Sequence, residues 1–168
     1  MKLSSCDTHT FAQEEMMPPG IRILGSNDEA VLSNSAPGVF DHNVERRLVV
    51  EFLNDPRHHL VVAIERGIVV GFASAVHYIH PDKGPELWVN EVGVAPTHRE
   101  RGLAKKILNV LFEKGRELGC SQAWVLTNRS NVAAMRLYAS AGGIEAPEDQ
   151  VMFEFPIAGG IDSKRVTQ

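Results

Sequence analysis

Pro96 constrains this chain more than any other residue. It has no N–H to give to a sheet ladder, so the apolar run through Val92 and Val94 must end as a strand at or before it. Ile107, Leu108, Leu111 and Phe112 then recur at helical spacing, with Lys105, Lys106 and Glu113 between them. The chain therefore turns from strand to helix across a polar stretch ending at Gly102. Such a turn exposes helix N-terminal amides without partners, and the helix dipole adds positive charge there. Gly102 and Ala104 leave the backbone open to an anion, and Arg99 and Arg101 add fixed charge. A nucleotide pyrophosphate suits this place; so does no ligand at all, the turn being then a solvated basic helix start. The Gly-Lys-Ser/Thr end of a Walker loop is absent, and no dinucleotide fingerprint follows a strand here.

A chain of 168 residues with 43% hydrophobic residues suits one domain with a sizeable core. Residues 1–20 read as a loose leader without the apolar stretch of a signal peptide, 21–157 as the folded domain and 158–168 as a tail. No segment reaches membrane-spanning length, so a cytoplasmic protein without a membrane partner is expected. A net charge of -4 argues against nucleic acid as a partner and suits a small cationic substrate. Cys6 and Cys120 imply neither a disulfide framework nor a zinc site, and no metal is expected.

Within the domain a strand is predicted at Ile21–Leu24, then a short helix through Val31 capped by Ser26 or Asn27, and a helix from Asn43 to Leu53. Strands at His59–Ile64 and Ile68–Tyr78 form a hairpin around Arg66-Gly67, and Leu87–Val94 returns as the strand that Pro96 stops. A helix over Lys105–Leu118, a strand at Gln122–Thr127, a helix from Ser130 or Asn131 to Ala141 and a last strand at Val151–Phe155 complete the order. The expected class is α+β (mixed α/β), a mostly antiparallel twisted sheet flanked by helices.

Val92-Gly93-Val94-x-Pro96 followed by Arg99-x-x-Gly102-x-Ala104 resembles the acetyl-CoA signature of the GNAT acetyltransferase superfamily. The resemblance implies a GNAT-like fold and acetyl-CoA as co-substrate. It implies that Val92, Gly93 and Val94 pair with the pantetheine arm, and that the turn through Arg99, Glu100, Arg101, Gly102, Leu103 and Ala104 binds the pyrophosphate. Asn131 to Gly143 resembles the second GNAT signature, and helical spacing puts Asn131, Ala134 and Tyr138 on one face. Asn131 is then expected to hydrogen-bond the pantetheine amides, Ala134 to leave room for the arm, and Tyr138 to give a proton to the departing thiolate. A Tyr at such a place also serves as plain packing.

Glu91 stands inside an otherwise apolar strand, where a charge is costly unless solvated or paired. Desolvation raises a carboxyl toward the range of a general base, as an attacking amine requires. Gly93 marks a candidate bulge that frees backbone amides, that of Val92 in particular, to polarise a thioester carbonyl. Glu86 and Asn90 alternate with Glu91, so they share a site with it only if the strand bulges. His77 and His80 lack ligand spacing and read as wall or surface residues.

Stretches at Val69–Tyr78, Pro85–Val92 and Glu148–Phe155 are similar to the type I aminoglycoside 3-N-acetyltransferases, in which an Asp commonly stands at the place of Glu91. That similarity implies an aminoglycoside acceptor, acetylation of its 3-amino group, and antibiotic resistance. Asp41, Glu86 and Glu91 are the candidate substrate contacts, within an acidic rim of Asp41, Glu45, Asp82, Glu86, Glu145, Glu148 and Asp149. Another small amine, a polyamine, a protein N-terminus, or a CoA-binding sensor without turnover remain alternatives. Trp88 and the last strand offer surfaces for a homodimer.

Overall fold

Short connections join the three long central strands of the sheet. The computed structural model describes residues 18–146 together with 152, 153 and 155. β1 (Gly20–Ile23), β2 (His58–Glu65), β3 (Ile68–Tyr78) and β4 (Glu86–Val94) pair antiparallel in that order. β5 (Gln122–Val125) then joins β4 in parallel, completing a five-stranded sheet. A parallel pair needs a crossover, and α2 (Leu103–Glu117) supplies it. α1 (Arg46–Asn54) lies between β1 and β2, and α3 (Val132–Ser140) follows β5. Short 3-10 turns at Glu29–Ser33 and Pro96–His98 complete the elements.

The alternation of β3 decides which helix goes where. Gly71, Ala73 and Ala75 share one face, and their small size lets α2 approach; the Ile107 side chain lies over Gly71 and Leu87 over Gly115. Phe72 on the other face stacks with Phe40, ring centroids 4.2 Å apart. His58 meets Phe52 of α1 on that same face, at 4.7 Å. Ile107, Leu108 and Leu111 of α2, with Phe72 and Leu87 from the sheet, are the largest fully buried side chains.

Most expected elements are present, with local corrections. The helix start expected at Asn43 comes at Arg46, because Glu45 is still extended (φ -99°, ψ 120°) and serves as its N-cap. Asp28, rather than Ser26 or Asn27, caps the first helical turn, and its carboxylate accepts the Gly25 N–H at 2.9 Å. The long helix begins two positions before Lys105, since Leu103 is buried and anchors it in the core. The strand expected to reach Thr127 ends at Val125. Of the last strand, Met152, Phe153 and Phe155 are exposed and without strand pairing, and the rest lies outside the described residues. Among the described residues no helix is long and apolar enough to cross a membrane.

Candidate active site

β4 carries an irregularity that reorganises its outer half. Ala75 pairs with Val89 and Ser74 with Glu91, so Asn90 is an extra residue without a partner on β3. The bulge expected at Gly93 is thus at Asn90, and it reverses the alternation beyond it. Glu91 consequently shares a face with Trp88 and Glu86, opposite the face that packs on α2. Gly93 is needed for another reason. The Val39 carbonyl crosses directly over it, and an added Cβ would lie 2.6 Å from the Phe72 ring.

This crossing segment brings Asp41 and His42 to Glu91. Burial first, and then the like charge of Asp41, raise the Glu91 carboxyl above its ordinary range, while His42 pulls it back. The Glu91 side chain nevertheless remains open to solvent. An acid with raised proton affinity and an open face can receive the proton of an ammonium.

Glu86, also expected as a substrate contact, is placed differently, with its carboxylate buried and paired inside the protein. It is only 5% exposed. One carboxylate oxygen accepts the Tyr78 hydroxyl at 2.7 Å and the other the Lys83 ammonium at 2.5 Å. Lys83 foremost, and Tyr78 next, hold its carboxyl down to about 2. Such a satisfied charge has little left for a ligand. The acidic rim shrinks further because Glu145 pairs with Arg129, while Glu148 and Asp149 lie outside the described residues. Among the described residues Asp41, Glu45 and Asp82 are what is left of it, with Glu91 beside Asp41.

On the other side of β4 the sheet splays. β5 pairs with β4 only from Glu86 to Val89, whereas β4 runs on to Val94. Among the described residues, the edge of β4 through Val92, Gly93 and Val94 has no partner strand. Backbone groups along such an edge can pair with an extended amide chain. Arg99 takes one of them, its Nε donating to the Val94 carbonyl at 3.0 Å. Arg99 therefore braces the strand end as well as adding charge.

The turn beyond is shaped for an anion. Glu100 and Gly102 both have positive φ, 61° and 72°, so the backbone folds sharply before α2. Gly102 is the N-cap and has no side chain to cap with, and the first turn of α2 contains no acidic residue. The first intrahelical bond runs from the Lys106 N–H to the Gly102 carbonyl, which leaves the Leu103, Ala104 and Lys105 amides without intrahelical acceptors. Arg101 is exposed beside them. These residues fit the pyrophosphate of acetyl-CoA, and the free edge of β4 fits its pantetheine arm. His98 steadies the turn from outside, its Nε2 lying 3.1 Å from a Glu65 carboxylate oxygen and its Nδ1 2.8 Å from Thr97 Oγ1. Glu65 ends β2 and His98 ends the 3-10 turn after β4, and no local pattern links them.

α3 closes the splay. The Asn131 side-chain oxygen accepts the Ala134 N–H at 3.1 Å, so it caps the helix and only its amide NH2 is left for a ligand. Ala134 and Tyr138 follow on the same face and are half-buried. Tyr138 lines a cleft of about 320 Å³ between α2, β5 and α3, together with Val89, Phe112 and Val125. Its hydroxyl has no hydrogen-bond partner among the described residues, and burial raises its pKa, keeping it a proton donor. Cys120 lines the same cleft, and burial pushes its thiol up, which disfavours the thiolate a nucleophile needs. His77 turns away from the site to share a hydrogen bond with His59 at 2.8 Å.

The chain is similar to known proteins in sequence and in fold. The profile of the Acetyltransferase (GNAT) family matches residues 30–142. An uncharacterized N-acetyltransferase of Mycobacterium tuberculosis (strain H37Rv) is 26% identical over 113 residues, 67% of this chain and 70% of that protein. An aminoglycoside N(6')-acetyltransferase type 1 of Salmonella typhimurium is 26% identical over 85 residues, 48% of this chain and 59% of the relative. In fold, the chain is similar to an aminoglycoside acetyltransferase from an uncultured soil metagenomic sample, solved with sisomicin. The TM-score is 0.67 at 18% identity, over 81% of this chain and 94% of the other.

Proposed function

The chain belongs to the acetyltransferase (GNAT) family, and from that premise we propose that it acetylates an amino group of an aminoglycoside at the expense of acetyl-CoA. The observation that carries this reading is the meeting of Glu91 and Asp41 on the solvent side of β4, opposite an open edge and an uncapped helix N-terminus. Acetyl-CoA, when bound, supplies the acyl group as a thioester. The Leu103, Ala104 and Lys105 amides hold its pyrophosphate, the Val92 to Val94 edge holds its arm, and Ala134 leaves it room.

On the acceptor side, Asp41 draws in an ammonium group and keeps Glu91 a strong enough base to take its proton on a carboxylate oxygen. The neutral amine nitrogen then bonds to the acyl carbon while the carbon–sulfur bond breaks. The Tyr138 hydroxyl gives its proton to the departing sulfur, and the second proton that the acylated nitrogen sheds passes through water to restore the tyrosine. The transfer is direct in this reading, in keeping with burial raising the thiol of Cys120, the one free cysteine among the described residues. Acetylation removes a positive charge and a donor from the product, which weakens a polycation for its target and would confer resistance.

The sequence resemblance favours the 3-amino group, whereas the Salmonella relative is named for the 6' position. Thiol release across an aminoglycoside panel, with the acetylated nitrogen located by NMR of the product, tests both points. A smaller, less charged amine is the second reading, favoured by an acidic rim that loses Glu86 and Glu145 to internal pairs. Turnover of simple amines in preference to any aminoglycoside would establish it.

A further inference from the structure

Both tryptophans of the chain meet on the face of the sheet that carries Glu91. Trp88 on β4 pairs with Trp124 on β5, and their rings are stacked at 5.1 Å with planes 4° apart. Trp88 stays 39% exposed, although indole is among the most strongly buried surfaces a protein has. The β3 partners of Trp88 and Glu91 are Val76 and Ser74, two residues apart, so indole and carboxylate are neighbours along one face.

The stack is held from beneath. The Trp124 indole N–H donates to the Tyr78 hydroxyl oxygen at 2.6 Å, and the Tyr78 O–H donates to Glu86. Lys83 neutralises the other Glu86 oxygen. Tyr78 also stands edge-on to the Trp124 ring, with centroids 6.4 Å apart. A side chain fixed this way presents its π-face without losing rotamer freedom when something binds to it.

We infer that Trp88, backed by Trp124, is the platform on which a ring of the cationic acceptor lies, and that Glu86 positions this platform through Tyr78 instead of touching substrate. The inference rests on the amine-acetylation reading and narrows its acceptor to a cyclic polyamine such as an amino sugar. The C–H face of a ring bearing ammonium groups is electropositive and complements an indole face, while Asp41 and Glu91 take the ammonium beside it. A flexible linear polyamine matches the acids but offers the platform nothing flat.

Because the chain has no other tryptophan, its emission under tryptophan-selective excitation reports on the platform alone. Sisomicin titrated into the full-length protein should change the emission saturably, and spermidine at the same concentrations should not. Trp88→Leu should weaken sisomicin binding about tenfold and Trp88→Phe less than about threefold, in keeping with the loss or retention of an aromatic face. Tyr78→Phe should shift Trp124 emission and raise the KM for sisomicin while kcat and the affinity for acetyl-CoA hold. Circular dichroism confirms that each variant is folded. An unchanged sisomicin KM in Trp88→Leu overturns the platform and leaves acetyl transfer standing. Equal responses to spermidine and sisomicin overturn the ring requirement. Sisomicin that neither alters the emission nor releases thiol overturns the platform and the aminoglycoside reading together.

Discussion

The carbonyl of Val39 lies directly over the Cα of Gly93, so the loop that carries Asp41 is seated on the strand that carries Glu91. A single missing side chain thereby couples the two acids. Gly93→Ala would force the loop or the Phe72 ring aside and should cost about 1–3 kcal/mol, the usual range for overpacking a core. Thermal unfolding should show a fall in Tm of a few degrees, and activity should fall further than stability because the Asp41–Glu91 spacing changes with the loop.

Asp41 and Glu91 make the acid limb of the pH–rate profile informative. The like charge of Asp41 raises the Glu91 carboxyl, so its removal in Asp41→Asn should lower that pKa and move the acid limb of kcat/KM to lower pH. His42 acts in the opposite sense, and His42→Ala should move the limb to higher pH. Rates measured across the acid range in the three proteins give the order directly. A limb that stays in place in Asp41→Asn contradicts the electrostatic pairing.

Tyr138→Phe keeps the ring that lines the cleft and removes only the proton donor. kcat should fall by about 10²-fold, at the lower end of what a positioned acid contributes, with acetyl-CoA affinity within about twofold of wild type. Steady-state rates with equilibrium binding of CoA distinguish this from a packing role, which would move both.

Stability has its own pH dependence, centred on His59. Burial first, and the neighbouring His77 next, lower its pKa from 6.5 to about 4. The unfolded chain therefore binds a proton that the folded one refuses between these values, and stability falls as pH drops from about 6.5 toward 4. His59→Phe should flatten this part of the curve of urea midpoint against pH, at some loss near neutrality because His77 loses its partner.

Sequence periodicity located α2, β3 and β4 closely because their apolar spacing is set by faces that are in fact buried. Ile107, Leu108 and Leu111 are fully buried, and Pro96 follows β4 with only Ala95 between them. The uncapped, Gly-led start of α2 was legible for the same local reason. What depended on pairing between strands was not. The extra residue at Asn90 leaves no local mark, yet it decides that Glu91 faces Trp88. Glu86 read as a free acid because its partner Tyr78 comes from the neighbouring strand, although Lys83 three positions away was a visible hint. The Trp88–Trp124 stack arises from the parallel register of β4 and β5, which only the crossover through α2 brings about. Of the two expected helix starts, Ser130 and Asn131, the structure uses Asn131, and a capping Asn and a ligand-binding Asn look alike in sequence.

Glu91 carries the central claim, and thiol release from acetyl-CoA with a saturating aminoglycoside tests it most directly. Glu91→Gln keeps the shape and removes the base, so kcat should fall by about 10²–10⁴-fold across neutral pH, with the acid limb abolished and acetyl-CoA binding intact. A variant that retains wild-type kcat and the same acid limb would show that the proton goes elsewhere, and would contradict the account.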